Sequence, residues 1–300
     1  MRVLISRLSA MGDVVCTLPV ASAFKRSFPE CHVTWAVQHN FAPIVERCAS
    51  VDEVIPIRGR RKSLLEDLKK IGDLEPFDIA IDAQGLTKSA LVVFMAKAKR
   101  KLGYHWQREI SPIFSQKVRP DSSSIHVVDQ YVDVARAAGC TAHRADFALK
   151  PTEGDNEAIK DLKPQGRYAV VHPGGGWATK RWPVTNFAQV CHFLTEKQIT
   201  PVLIGIQPEA ESAERIQQLV PAAKNLVNRT NLGALIALID NASVHIGGDT
   251  GSSHIAAALN TPAVGIYLVT RPARSCPYGQ FDNCPEPTTE GIIQMVERLT

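Results

Sequence analysis

Three short segments of this 300-residue chain carry residue types that could act on a phosphate-bearing ligand. The first is Ser9-Ala10-Met11-Gly12-Asp13, which follows an apolar run and opens a helical pattern. Gly12 permits a tight turn and close approach of a ligand. Asp13 falls where a carboxylate can cap free backbone N–H groups or, at the carboxyl edge of a strand, act as a general base. The second segment, His172 to Pro183, holds Gly174, Gly175 and Gly176 ahead of Lys180 and Arg181. Such glycines let backbone N–H groups approach a ligand, and the two cations suit phosphate. The third, Gly247 to His254, sets Asp249, Thr250, Gly251, Ser252 and Ser253 between a strand pattern and an Ala-rich helix. Free N–H groups and the helix dipole at that junction favour a diphosphate. Glu209 follows another strand, where a carboxylate can accept hydrogen bonds from ribose hydroxyls or simply open a surface helix.

Other chemistries lack their residues. No G-x-G-x-x-G follows the first strand, which disfavours a nicotinamide cofactor. Lys180 is neither preceded by Gly nor followed by Ser or Thr, so the glycine loop is not a Walker A loop. Asp249-Thr250-Gly251-Ser252-Ser253 resembles a pepsin-type motif, but that chemistry needs two copies in an all-β fold, and there is one here. No G-x-S-x-G elbow is present. Cys276 and Cys284 stand near one another without further Cys or His to complete a zinc site. Seven cysteines, odd in number and scattered, fit reduced thiols and a cytoplasmic setting.

The elements that position these segments follow from periodicity. Hydrophobic residues make up 45% and charged residues 21%, a balance that excludes a disordered or fibrous chain. The apolar run from Ala90 to Ala96 stops at Lys97, short of the ~18–20 residues of a membrane span. Arg7 and Asp13 interrupt the N-terminal apolar stretch, so a secretory leader is not expected. Strands are predicted at Arg2 to Ser6, His32 to Val37, Val51 to Ile57 and Asp78 to Asp82. Helical spacing lies between them, including Asp13 to Arg26 and Ser89 to Lys99. After a polar stretch, Lys150 to Gly166, the rhythm restarts with strands at Tyr168 to His172, Pro201 to Ile206, Val244 to Gly247 and Ala263 to Tyr267. The expected fold class is therefore α/β: two Rossmann-like lobes, residues 1–155 and 156–300, facing across a cleft, with the final helix reaching back to the first lobe.

Charge is uneven. Residues 1–150 carry 22 Lys+Arg against 16 Asp+Glu, a net +6, and residues 151–300 carry 12 against 14, a net −2. The excess concentrates at Arg58, Arg60, Arg61 and Lys62 and at Lys97, Lys99, Arg100 and Lys101. It reads either as a solvated face or as a surface for an anionic partner.

Taken in order, Met11-Gly12-Asp13, the segment Ile81-Asp82-Ala83-Gln84-Gly85-Leu86-Thr87-Lys88-Ser89, Lys180-Arg181-Trp182-Pro183 and Asp249-Thr250-Gly251-x-x-His254 resemble glycosyltransferase family 9, and within it the lipopolysaccharide heptosyltransferase I group. The resemblance runs from Met1 to about Tyr267; Cys276 to Pro287 match nothing in the family pattern. It implies a GT-B architecture and inverting, metal-independent transfer of heptose. The implied donor is ADP-heptose (ADP-L-glycero-β-D-manno-heptose), and the implied acceptor is the Kdo region of lipid A-linked inner core (Kdo-lipid A). It places the catalytic aspartate on Asp13 and the phosphate-binding lysine on Lys180. Further donor contacts fall on Gly12, Gly175, Gly176, Glu209, Thr230, Asp249, Thr250, Gly251 and His254. The basic first lobe would serve the acceptor through Arg58, Arg60, Arg61, Lys62 and Arg108. Peripheral contact with the anionic surface of the inner membrane, on its cytoplasmic side, is expected; a cofactor, a metal and a nucleic-acid partner are not. The alternatives are another nucleotide-sugar donor or acceptor on the same fold, or a non-catalytic nucleotide-sugar-binding protein.

Overall fold

Strands buried on both faces read as unbroken apolar runs rather than alternating ones. Val3-Leu4-Ile5, Ile79-Ala80-Ile81 and Ala169-Val170-Val171 are such runs, and each lies buried in the middle of a parallel sheet. A computed structural model describes residues 1–59, 61–142, 145–175, 179 and 181–300, with the side chains of Arg61 and Lys62 outside the description. The chain divides into two units, Met1–Leu149 and Lys150–Thr300.

The first unit holds β1 (Arg2–Ser6), β2 (His32–Gln38), β3 (Glu53–Ile57), β4 (Phe77–Asp82), β5 (Ala98–Gly103) and β6 (Gln116–Lys117). Their spatial order is β3-β2-β1-β4-β5-β6, parallel throughout. One face packs Leu4, Ala36, Ile57 and Ala80 against Leu68, Ile71, Val92 and Val93 of the covering helices. The other carries the helix Met11–Ser27, buried from Val14 to Phe24, against the helix Val127–Ala137.

The second unit holds β7 (Tyr168–His172), β8 (Thr200–Leu203), β9 (Lys224–Asn225), β10 (Val244–Gly248) and β11 (Ala263–Ile266). Their order is β11-β10-β7-β8-β9, again all parallel. Trp182 and Phe187 meet edge to face at 5.1 Å within its core. Trp182 Nε1 donates to the Pro287 carbonyl at 2.9 Å.

Both sheets are wound alike. The chain starts in the middle, moves outward over three strands, then returns to the other side of its first strand. The reversal falls between β1 and β4 in one unit and between β7 and β10 in the other. Ligands of such sheets bind at this switch point, beyond the carboxyl ends of the strands. The ends are level there: Ser6 pairs with Asp82, and His172 with Gly247.

The division falls after Leu149, and the helix Glu153–Ala158 packs on the helix Leu232–Asp240 of the second unit. The final helix, Thr289–Leu299, contributes Ile292 and Val296 to the second unit's own core. The helix expected over Ser89 to Lys99 spans Thr87–Met95, since Lys97 already accepts from Phe77 N and the chain enters β5. β5, β6 and β9 were not expected. Among the described residues no helix is long and apolar enough to cross a membrane.

Phe187 sits fully buried against Trp182, so Phe187→Ala is expected to cost about 3–5 kcal/mol. Denaturant unfolding of the variant should show a lower midpoint with an unchanged slope.

Candidate active site

At the first switch point the loop after β1 is laced to the loop after β4. Ala83 N donates to the Ser6 carbonyl at 3.0 Å, and Gln84 Oε1 accepts from Leu8 N at 2.9 Å and Ser9 N at 3.3 Å. Gln84 is itself held by a turn pinned on Asp82, whose Oδ1 accepts from Gln84 N and Gly85 N and whose Oδ2 accepts from Ser111 Oγ. Gly85 is obligatory in that turn. Its φ is +76°, and a Cβ there would lie 2.7 Å from the Trp106 carbonyl.

Asp13 stands in the first turn of the helix Met11–Ser27. Arg7 Nη2 meets its Oδ2 at 2.6 Å; the arginine side chain is 6% exposed and the aspartate 47%. Ala10 N also approaches Oδ2, at 3.4 Å, so the capping role and a contact to a cation coexist on one oxygen. Arg7 is fixed from three sides: Nη1 donates to the Ala83 carbonyl at 2.6 Å, and its guanidinium lies 5.3 Å from the centre of the Tyr131 ring. Burial opposes the Arg7 charge, but Tyr131 and Asp13 outweigh it and hold the group above its usual range. Burial likewise pushes the Tyr131 phenol up. Gly12 is helical, so the turn draws on no left-handed backbone there.

The basic residues of this unit differ in availability. Arg58 is committed: Nε and Nη2 donate to Asp67 Oδ1 at 3.1 and 2.7 Å, and Nη2 also meets Glu66 at 3.0 Å. Although burial acts upward on the Asp67 carboxyl, these bonds from Arg58 hold it below its usual range. Arg108 is exposed, its guanidinium 5.5 Å from the Trp106 ring centre and its backbone N–H on the Gly85 carbonyl. Arg60 lies outside the described residues. Arg61 and Lys62 begin the helix Arg61–Asp73.

At the second switch point β7 ends in His172 and leads to Gly174 and Gly175, both buried. A Cβ on Gly174 would stand 2.5 Å from Glu209 Cγ, and one on Gly205 would stand 2.7 Å from Glu209 Cβ. The two glycines thus make room for Glu209, which is 8% exposed rather than a surface residue and accepts from Ile206 N at 2.9 Å. Thr230 is half-buried in the loop after β9, a loop tied to the β8 loop by Asn228 N on the Gly205 carbonyl. Arg181 Nε reaches the Gly175 carbonyl at 3.3 Å. Gly176 and Lys180 lie outside the described residues.

The turn after β10 enters the helix Gly251–Ala258 with Thr250 extended at its N-cap. His172 Nδ1 lies 3.1 Å from Thr250 Oγ1 and 2.8 Å from Ser252 Oγ; His245 Nε2 lies 3.0 Å from the same Ser252 hydroxyl. Ser253 Oγ donates to the Gly248 carbonyl, and His254 Nε2 approaches Asp249 at 3.8 Å. The expected Asp249, Thr250, Gly251 and His254 therefore share one turn, knotted underneath by imidazoles and hydroxyls. Burial holds the His172 imidazole below its usual range, against the pull of Glu209. Burial and the neighbouring His172 and His254 push His245 down to about 3. Among the described residues no three His, Cys, Asp or Glu could share a metal ion.

Arg7, Gln84, His172, His245 and Ser252 belong to these sites without having been singled out for a role in the sequence. The available signal was position: Arg7 and His172 stand at or just past the ends of the first strands of the two units.

The model of the family described as "Glycosyltransferase family 9 (heptosyltransferase)" matches residues 67–291. Lipopolysaccharide heptosyltransferase 1 of Escherichia coli K12 is 28% identical over 98% of this chain and 96% of its own length. The E. coli heptosyltransferase WaaC, solved with ADP, is 27% identical with a TM-score of 0.81 over 100% of both chains; its structure with ADP-2-deoxy-2-fluoro heptose is equally similar at 0.81. A family 9 glycosyltransferase from Veillonella parvula aligns over 99% of this chain and 96% of its own with a TM-score of 0.87 at 18% identity, a likeness of fold.

Because His245 is neutral when folded and would protonate near its ordinary ~6.5 when unfolded, the unfolded chain binds the extra proton between that value and about 3. Its contribution to stability is complete above ~6.5 and drains away as pH falls. Unfolding free energy measured from pH 7 to pH 4 should decline, and His245→Gln should flatten the decline. A slope unaltered by the substitution would contradict this assignment.

Proposed function

The chain belongs to glycosyltransferase family 9, and we propose that it is an inverting heptosyltransferase moving heptose from ADP-heptose to the Kdo region of a lipid A-linked inner core. The family makes it a glycosyltransferase with the GT-B fold. The finer donor is carried over from the E. coli relative solved with ADP and with ADP-2-deoxy-2-fluoro heptose. The acceptor is carried over from the lipopolysaccharide relatives. Association with the cytoplasmic face of the inner membrane is part of the same reading.

The observation that carries the chemistry is the half-exposed Asp13 held through Oδ2 by the buried Arg7. An acceptor hydroxyl attacks the anomeric carbon on the face opposite the leaving group. Asp13 takes the hydroxyl proton as the new C–O bond forms. The bond to ADP breaks, and its electron pair passes to a β-phosphate oxygen. Lys180, the N–H groups of Thr250 to His254 and the glycine loop at Gly175 and Gly176 stabilise that charge, a contribution that preorganised donors make with little reorganisation. Glu209 receives the ribose hydroxyls, Thr230 borders the adenine, and Gly12 lets the donor approach Asp13. One carboxylate suffices, because inversion needs no covalent glycosyl-enzyme and therefore no second nucleophilic carboxylate. Arg60, Arg61, Lys62 and Arg108 receive the acceptor's anionic groups. Arg58, spent on Asp67 and Glu66, braces the start of that segment.

A positioned base contributes about 10²–10⁴ in rate. Asp13→Asn is expected to lower transfer by that factor while ADP affinity, measured by calorimetry, stays within about twofold, the variation expected when uniform binding is untouched. Undiminished transfer by the variant would remove Asp13 from the chemistry. Failure of the native chain to bind ADP would remove the donor assignment.

A further inference from the structure

We propose that the face built by the end of the helix Thr87–Met95, the short helix Ser111–Phe114 and the adjoining β5–β6 edge docks on an anionic phospholipid bilayer. The proposal rests on the reading that the acceptor is lipid-borne. Between Ala83 and Pro120 the sequence holds eight Lys or Arg and one acidic residue, Glu109. Glu109 is already occupied, since its Oε2 accepts from the backbone N–H and hydroxyl of Thr87. Lys99 and Arg100 are also spent, on Asp78 and on the carbonyls at the end of the helix Val127–Ala137. Lys97 and Lys117 are exposed and have no ion-pair partner among the described residues.

Amid these charges stands an apolar cluster that water should disfavour. Ile113 is 75% exposed and Phe94 51%. The Phe94 and Phe114 rings lie 4.6 Å apart, joining the two helices into one surface. Lys101 Nζ sits 5.8 Å from the Phe94 ring centre and donates to the Phe94 carbonyl, so its stem packs beside the ring while burial pulls its pKa down. Exposed apolar groups on segments that also carry exposed lysines match a bilayer interface, where the apolar tips enter the acyl boundary and the amines meet lipid phosphates. A second copy of the same face would bring like charges together. A nucleic acid would use the charges and leave Ile113 and Phe94 in water. An anionic bilayer satisfies both halves of the surface.

Co-sedimentation of the full chain with vesicles of equal parts phosphatidylglycerol and phosphatidylcholine, and with phosphatidylcholine alone, tests this. The native chain should bind the anionic vesicles, release in high salt and ignore the neutral ones. Each lysine near an anionic surface is worth about fivefold in partitioning, so Lys97→Glu with Lys117→Glu should weaken binding roughly twentyfold or more. Phe94→Ser with Ile113→Ser should weaken it by about tenfold or more. Both pairs should keep the native melting temperature and native turnover on a deacylated, water-soluble acceptor. Variants that sediment like the native chain would overturn the proposal, as would equal binding of the native chain to neutral vesicles or no binding to either. Absent turnover on the soluble acceptor, with vesicle binding behaving as expected, would count against the transferase reading alone.

Discussion

Exposure to solvent and a fixed direction are competing demands on a side-chain carboxylate. The ion pair between Arg7 and Asp13 reconciles these demands, with a guanidinium 6% exposed holding one oxygen of a carboxylate 47% exposed. A charge as deep as that of Arg7 is tolerable only because it is paired and hydrogen-bonded. The Ala83 carbonyl, the Tyr131 ring and Asp13 share that task. Two of these partners come from beyond the first loop, so the orientation of Asp13 depends on β4 and on the helix Val127–Ala137. The Asp82 turn and Gln84 then keep the two loops in register.

The second unit solves a similar problem with neutral groups. Its switch point has the same topology, and the turn is braced by the imidazoles of His172 and His245 and the hydroxyls of Thr250 and Ser252. Burial disfavours the charged form of both imidazoles, which exchange hydrogen bonds with the hydroxyls of the turn. Glycines at 174 and 205 leave space for the Glu209 side chain, and no larger residue could occupy those positions without displacing it.

The inner strands were legible because continuous apolar runs have one reading in a parallel sheet. β5 was not: Ala98-Lys99-Arg100-Lys101-Leu102-Gly103 looks like the tail of a helix, and its charges are explained only by Asp78, Phe94 and the carbonyls of Ala137 and Ala138. β6 and β9 are two residues each, too short for any period to show. Arg7 read as an interruption of an apolar stretch, because its partner Ala83 lies 76 residues away. The burial of Glu209 had the same obstacle, resting on Gly174 far earlier in the chain. The basic run around Arg58 likewise did not show that Glu66 and Asp67, in the helix that follows, pair with its first member.

The most direct test is the stereochemistry of the product. The purified chain would be given ADP-L-glycero-β-D-manno-heptose and Kdo-lipid A, and the one-bond C1–H1 coupling of the transferred heptose measured by NMR. Displacement assisted by a single carboxylate predicts an α-linked heptose with one ADP released per linkage. A β-linked product, or no linkage formed while the donor remains intact, would contradict it.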